Sequence, residues 1–194
     1  GQGSVRDPRV VNSSFKTPSN RAGLALRFLQ EIRLGRDLGR LLEGLSPKLD
    51  LVVITSPPFF MASLCASASQ RAGIPYVFDV RDRYPAVLFD LGVVSSEGFI
   101  GRFLSRIETK NYAGARLITT VTSGLTRDLG ELVGAEKVTK VMNGFDGRHF
   151  TEENLQRPKR QRFTIVYHGR LGRFYEVDAL RRVILETERL DGEV

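Results

Sequence analysis

The chain has 194 residues, 41% hydrophobic, 26% charged and 9% aromatic, a composition that can bury a core and that excludes disorder and collagen. Twenty-nine Lys and Arg against 22 Asp and Glu give a net charge of +7, which admits nucleotides, nucleic acids or lipid head groups as partners. Residues 1–48 hold nine of the bases and four of the acids, so most of the excess is amino-terminal. The single Cys65 excludes an internal disulfide, and with two histidines it makes no zinc-type cluster, so a reducing, cytoplasmic compartment is expected. No apolar run reaches the roughly 18–20 residues of a membrane span, and the start lacks the apolar centre of a signal peptide. Any membrane contact is therefore expected to be peripheral. The chain opens without Met and closes directly after a helical pattern, so it is expected to be a piece of something longer.

The first twenty residues are polar and turn-rich and read as a loop, with Ser19 or Asn20 capping the helix that follows. From Arg21 to about Leu45, apolar residues recur at three- and four-residue steps, which predicts an amphipathic helix loosened at Gly35 or Gly39. Its arginines form either a plain solvated face or a surface for anionic lipid. LDLVVITS (49–56) is a continuous β-branched run of the kind buried in a parallel sheet, and Ser56-Pro57-Pro58 stops it. A helix then runs to Gly73, and Pro75 opens the strand PYVFDVRD. A loop with Pro85, Gly92 and Ser95-Ser96 leads to a helix over Glu97–Ala113, the strand RLITTVTS (116–123), the helix GLTRDLGELVG and the strand KVTKVMNG (137–144).

Alternation at this spacing predicts right-handed βαβ crossovers and a doubly wound, Rossmann-like parallel α/β sheet. Residues 151–162 read as a polar, Pro-containing linker. The strand FTIVYHGRLG (163–172) and a helix from Val177 to Leu190 then restart the pattern. One strand and one helix cannot make a domain, so a second domain is expected to begin here and to be truncated.

Ligands of open α/β sheets bind outside the carboxyl ends of the strands. Those ends carry Ser56-Pro57-Pro58, Asp79 to Asp82, Thr122-Ser123-Gly124, Asn143-Gly144, and Gly169-Arg170-Leu171-Gly172-Arg173. Ser123-Gly124 opening a helix is either a modest anion site or simply a capped helix. The last group couples two glycines that permit close backbone approach with two guanidiniums suited to a diphosphate. Asp79, Arg81 and Asp82 read equally as a polar active-site cluster or as a buried structural ion pair. There is no Walker pattern and no complete G-x-G-x-x-G after a strand, which leaves a nucleoside triphosphatase or nicotinamide dehydrogenase little support. No nucleic-acid recognition motif or interleaved aromatic-basic patch stands out, so nucleic acid is not an expected partner.

The succession ITSPPFF, IPYVFDVRDRYPAVLFDLG, VTSGL, VMNGFD with a following Phe150, then IVYHGRLGRF resembles the retaining glycosyltransferases of family 4, of two-domain GT-B fold. It is most similar to the bacterial subgroup that builds cell-surface polysaccharides. The resemblance implies an acceptor-side Rossmann-like domain over residues 1–150, without its first strand, and the start of a donor-binding domain over 163–194. It implies a nucleotide-diphosphate sugar as donor, a saccharide or lipid-linked acceptor, no cofactor and no metal. Gly169, Arg170, Gly172 and Arg173 would face the donor diphosphate. Ser56, Pro57, Arg81, Asn143 and Gly144 would line the substrate cleft, with Arg173 and Asp82 as the catalytic candidates. Tyr84 and Ala86 stand where relatives more often carry Trp and Glu, and Tyr175 and Glu176 where many carry a Lys. Work at the inner face of the cell membrane would follow, with the basic helix at 21–45 attracting anionic lipid. A nucleotide-sugar epimerase or phosphorylase of the same architecture, or a non-catalytic nucleotide-binding fragment, is the alternative.

Overall fold

The computed structural model describes residues 23–148, 166–168 and 177–189. The chain divides into two compact units, residues 1–143 and 144–194. The first contains α1 (Leu24–Leu45), a 3₁₀ turn (Ser46–Lys48), β1 (Val52–Ser56), α2 (Phe59–Arg71), β2 (Tyr76–Val80), α3 (Ala86–Asp90), α4 (Phe99–Gly114), β3 (Leu117–Thr120), α5 (Ser123–Val133), a second 3₁₀ turn (Ala135–Lys137) and β4 (Val138–Lys140). The four strands form one parallel sheet in the order β1-β2-β3-β4, and the Rossmann-like α/β class read from the sequence holds.

Because the strands follow one another across the sheet, right-handed crossovers carry α2, α4 and α5 over the same face. Strand periodicity then sorts the side chains. The register lines up Ile54, Phe78, Ile118 and Val138 on the helix-covered side, where they pack with Ala62, Ala66, Tyr112 and Leu129. The next positions along, Thr55, Asp79, Thr119 and Thr139, form a polar row across the opposite face. Small residues of α2 (Ala62, Ser63, Ala66, Ala68, Ser69) bring that helix close to its neighbours. The polar groups buried there are paired: Asn111 Nδ2 donates to Ser63 Oγ, and Tyr76 Oη donates to the Asn111 carbonyl. Gly73, at φ +69°, supplies the left-handed residue that ends α2.

Helix α1 starts at Leu24 behind an extended Gly23 that carries no side-chain cap, and Ser19 and Asn20, the caps read from the sequence, lie outside the described residues. Two expectations change. Gly35 and Gly39 do not loosen α1. They are where it touches α2: a Cβ on Gly35 would sit 2.9 Å from Met61 Cα, and one on Gly39 would sit 3.2 Å from Ala68 Cβ. Within the expected loop after β2 lies α3, whose five residues are too few to show a helical period and which is held by Leu88 in a second core cluster with Phe59 and Leu104.

Among the described residues β1 is an edge of the sheet, and beside it α1 leaves an apolar groove of about 420 Å³ lined by Leu41, Leu45, Leu51, Val53, Met61 and Cys65. In the second unit, α6 (Val177–Arg189) occupies the place of the expected last helix, and the Thr187 hydroxyl donates to the Val183 carbonyl. Of the expected strand 163–172 only residues 166–168 are described, and they carry no regular structure. The linker 151–162 lies outside the described residues.

Candidate functional site

The strands are shorter than their apolar runs, so several of the polar residues named above fall just past the sheet at its carboxyl edge. Ser56 ends β1, is buried, and its carbonyl accepts the Arg81 amide at 2.9 Å. Pro57 and Pro58 then turn the chain into α2. The entry to that helix meets Glu31 of α1, whose carboxylate accepts the Phe60 N–H at 3.4 Å and pairs with Arg27 at 3.2 Å. Burial pushes the Glu31 carboxyl above the usual range, against those two hydrogen bonds and the Arg27 charge.

Past β2, the cluster at 79–82 divides in two. Asp79 lies in the polar cross-sheet row and is buried, with Arg81 Nε donating to Oδ2 at 2.7 Å and the Thr119 hydroxyl donating to Oδ1 at 2.8 Å. Burial by itself would raise the Asp79 pKa, but the Arg81 and Thr119 hydrogen bonds with the Arg81 charge outweigh it and hold the carboxyl below its usual range. With both oxygens engaged, Asp79 is a poor proton acceptor. Arg81 reaches further, and its Nη1 donates to Asn143 Oδ1, tying the end of β2 to the residue that follows β4 by three positions. Asp82 belongs to neither bond. It is exposed and makes no hydrogen bond or ion pair among the described residues.

Arg83 turns inward toward Glu108 of α4, 3.5 Å away, while its Nε is buried without a hydrogen-bond partner. Tyr84 packs its ring 5.5 Å from that of Phe59, and burial with the nearby Glu31 charge pushes its hydroxyl up to about 12. The segment is thus clamped from below, and Asp82 is left pointing free of the clamp. At the next strand end Thr122 caps α5 by accepting the Leu125 amide at 3.3 Å, and Lys140 Nζ donates to Ser123 Oγ at 3.0 Å. Capping accounts for Ser123-Gly124, the plainer of its two readings.

The structure therefore brings Ser56, Arg81 and Asn143 into one bonded arrangement at the carboxyl edge, with Pro57 and Asp82 adjoining it along the chain. Gly144 belongs to the second unit. Gly169, Arg170, Gly172 and Arg173 lie outside the described residues. Thr119 and Glu31 were not anticipated. Thr119 was discoverable from alternation, since it shares the face of Asp79, whereas nothing local marks Glu31, whose partner Phe60 is 29 positions away. Among the described residues no three His, Cys, Asp or Glu side chains are grouped to hold a metal ion, and no helix is long and apolar enough to cross a membrane.

A parallel α/β sheet with its polar side chains gathered beyond the strand ends defines a ligand-handling domain of the Rossmann-like class. Residues 2–144 match the family model of the glycosyl transferase 4-like domain, and the chain belongs to that family. No curated protein and no solved structure matches significantly. Membership makes the protein a glycosyltransferase and implies a sugar donor and an acceptor as its partners.

Proposed function

We propose that the protein transfers a sugar, with retention and without a metal, from a nucleotide-diphosphate sugar to a saccharide or lipid-linked acceptor, in cell-envelope polysaccharide synthesis at the cytoplasmic membrane face. Residues 1–150 would form the acceptor side, and 163–194 would open the donor side. The bond from the anomeric carbon to the diphosphate oxygen breaks, a bond to the acceptor oxygen forms on the same face, and the acceptor proton leaves with the diphosphate. Arg173 and Arg170, with the amides of Gly169 and Gly172, would stabilise the charge that grows on the leaving diphosphate. Ser56, Pro57, Arg81, Asn143 and Gly144 would contact substrate.

The observation that supports this reading is the division of labour at β2. Asp79 is neutralised by Arg81, which Asn143 holds in place, while the neighbouring Asp82 is an exposed carboxylate with no partner among the described residues. A carboxylate so placed can accept a hydrogen bond from an acceptor hydroxyl.

The test is transfer from a panel of labelled nucleotide-diphosphate sugars to lipid-linked acceptors. Asp82→Asn is expected to lower turnover by roughly 10–10²-fold, the worth of one charge-assisted hydrogen bond that orients the acceptor hydroxyl. Arg173→Ala is expected to cost about 2–4 kcal/mol of transition-state stabilisation. Unchanged turnover in either variant removes that residue from the mechanism. Release of a free epimerised sugar in place of transfer product would favour an epimerase.

A further inference from the structure

Helix α4 has two sides. Leu104, Glu108, Asn111 and Tyr112 are buried toward α2 and the sheet. Phe99, Arg102, Phe103, Arg106 and Lys110 recur at three- and four-residue steps along the opposite, exposed side. Phe99 is 87% exposed, Ile100 60% and Phe103 53%, and the α3–α4 connection adds the exposed Leu91 and Val93. An isolated exposed apolar residue is ordinary on any surface, whereas two phenylalanines and an isoleucine within five residues are not.

The three bases that follow have no hydrogen-bonding or ion-pair partner for their side chains among the described residues. The helix's own acid, Glu108, is turned inward to Arg83 and Tyr112 and does not offset them. The exposed acids nearest in sequence are Asp90 and Glu97, both before the first turn. The side thus runs from aromatic and aliphatic at its amino end to basic along its length. The aromatic-basic interleaving not recognised in the sequence is present here.

We infer that this side of α4, with the α3–α4 connection, docks the protein on an anionic lipid bilayer. Phe99, Ile100 and Phe103 enter the boundary between head groups and acyl chains. Arg102, Arg106 and Lys110 lie against the negative surface. The partner is read from charge complementarity and from side-chain type. Large apolar groups beside unpaired bases suit an interface that is oily within and negative at its surface, and aromatic rings favour that depth. This places membrane contact on α4 in preference to α1, where two of the four arginines are paired, Arg27 with Glu31 and Arg40 with Asp37, and the exposed apolar side chains, Leu26, Leu29 and Leu41, include no aromatic ring. The inference rests on the membrane-face part of the proposed function, which it assigns to a surface, and is independent of the donor chemistry, so transfer to a soluble acceptor can survive its failure.

The experiment is co-sedimentation of the full chain with vesicles of phosphatidylglycerol and phosphatidylcholine, and with phosphatidylcholine alone, with no donor or acceptor present. Binding is expected to the anionic vesicles and to weaken as salt is raised. Phe99→Ser with Phe103→Ser should abolish it. Arg102→Gln, Arg106→Gln and Lys110→Gln should each weaken it roughly fivefold, the worth of one basic residue near such a surface. Arg33→Gln with Arg36→Gln on α1 should leave it within about twofold of the parent. All these side chains are exposed, and circular dichroism of each variant checks that the fold is retained. The inference is overturned if the parent chain ignores anionic vesicles or the α4 variants bind as well as the parent. It is overturned equally if the α1 variant alone loses binding, if the serine variant instead dissolves a self-associated form, or if a single-stranded oligonucleotide binds this side while vesicles do not.

Discussion

Asp79 and Asp82 are three positions apart and chemically unlike, and the period of a strand is the cause. Asp79, inside β2, takes the sheet face that Thr119 shares, and Arg81 closes over it. Asp82, beyond the strand, meets solvent. The folded pKa of Asp79 is depressed, so its stabilisation is complete above the unfolded value, near pH 4, and is lost as pH falls through the folded value. Glu31 and Glu108 have the opposite sign. Burial raises both, so their contribution is full below the unfolded value and is lost as pH rises through the folded one. Replacing Asp79 by Asn should cost on the order of 1–2 kcal/mol near neutral pH, a modest figure because Arg81 is half exposed. Urea unfolding between about pH 3 and 7 should show the gap between parent and variant closing toward the acid end. A gap independent of pH would mean that the ion pair carries none of it.

Helix α1 shows how one residue type takes opposite meanings within an element. At Gly35 a methyl group would collide with the Met61 backbone and Leu64, whereas at Gly44 it would meet nothing within 4 Å. Gly44→Ala should therefore stabilise by about 0.5–1 kcal/mol through helix propensity. At Gly35 the same gain is set against overpacking of about 1–3 kcal/mol, so Gly35→Ala should destabilise. Thermal unfolding of the two variants should move in opposite directions, and a common upward shift would contradict close packing of α1 on α2.

Sequence alone reads both glycines as loosening agents or misses them, because the contact that decides their role comes from a helix some 25 residues away in the chain. The strands were legible for the converse reason: each is a short apolar β-branched run with a breaker after it. Their ends were not, since apolar character continues past the last inter-strand hydrogen bond, as at Met142 beyond the Val141 N–H that donates to the Thr120 carbonyl. Of the candidate site, its location at the carboxyl edge was legible from chain order. The Arg81–Asn143 bond, spanning 62 positions, was open to pairing only once the sheet order was in hand.

At the scale of the whole molecule, order should fall off from the middle of the sheet outward. Strands β2 and β3 are flanked on both sides, and Phe78 and Ile118 are almost wholly buried. Helix α1 packs chiefly on α2 and forms no layer over the sheet centre. Native-state hydrogen exchange should show the β2 and β3 amides opening only with global unfolding and the α1 amides opening earlier. Equal protection of both would indicate that α1 and the sheet form one cooperative unit. The edge at β1 has a different consequence. Among the described residues one side of that strand keeps its amides and carbonyls unspent in front of an oily trough, with Val53 projecting beside it. An edge of that kind is a template for one more strand, and pairing there would draw on backbone hydrogen bonds and apolar burial, which the +7 charge spread over the whole molecule does little to oppose.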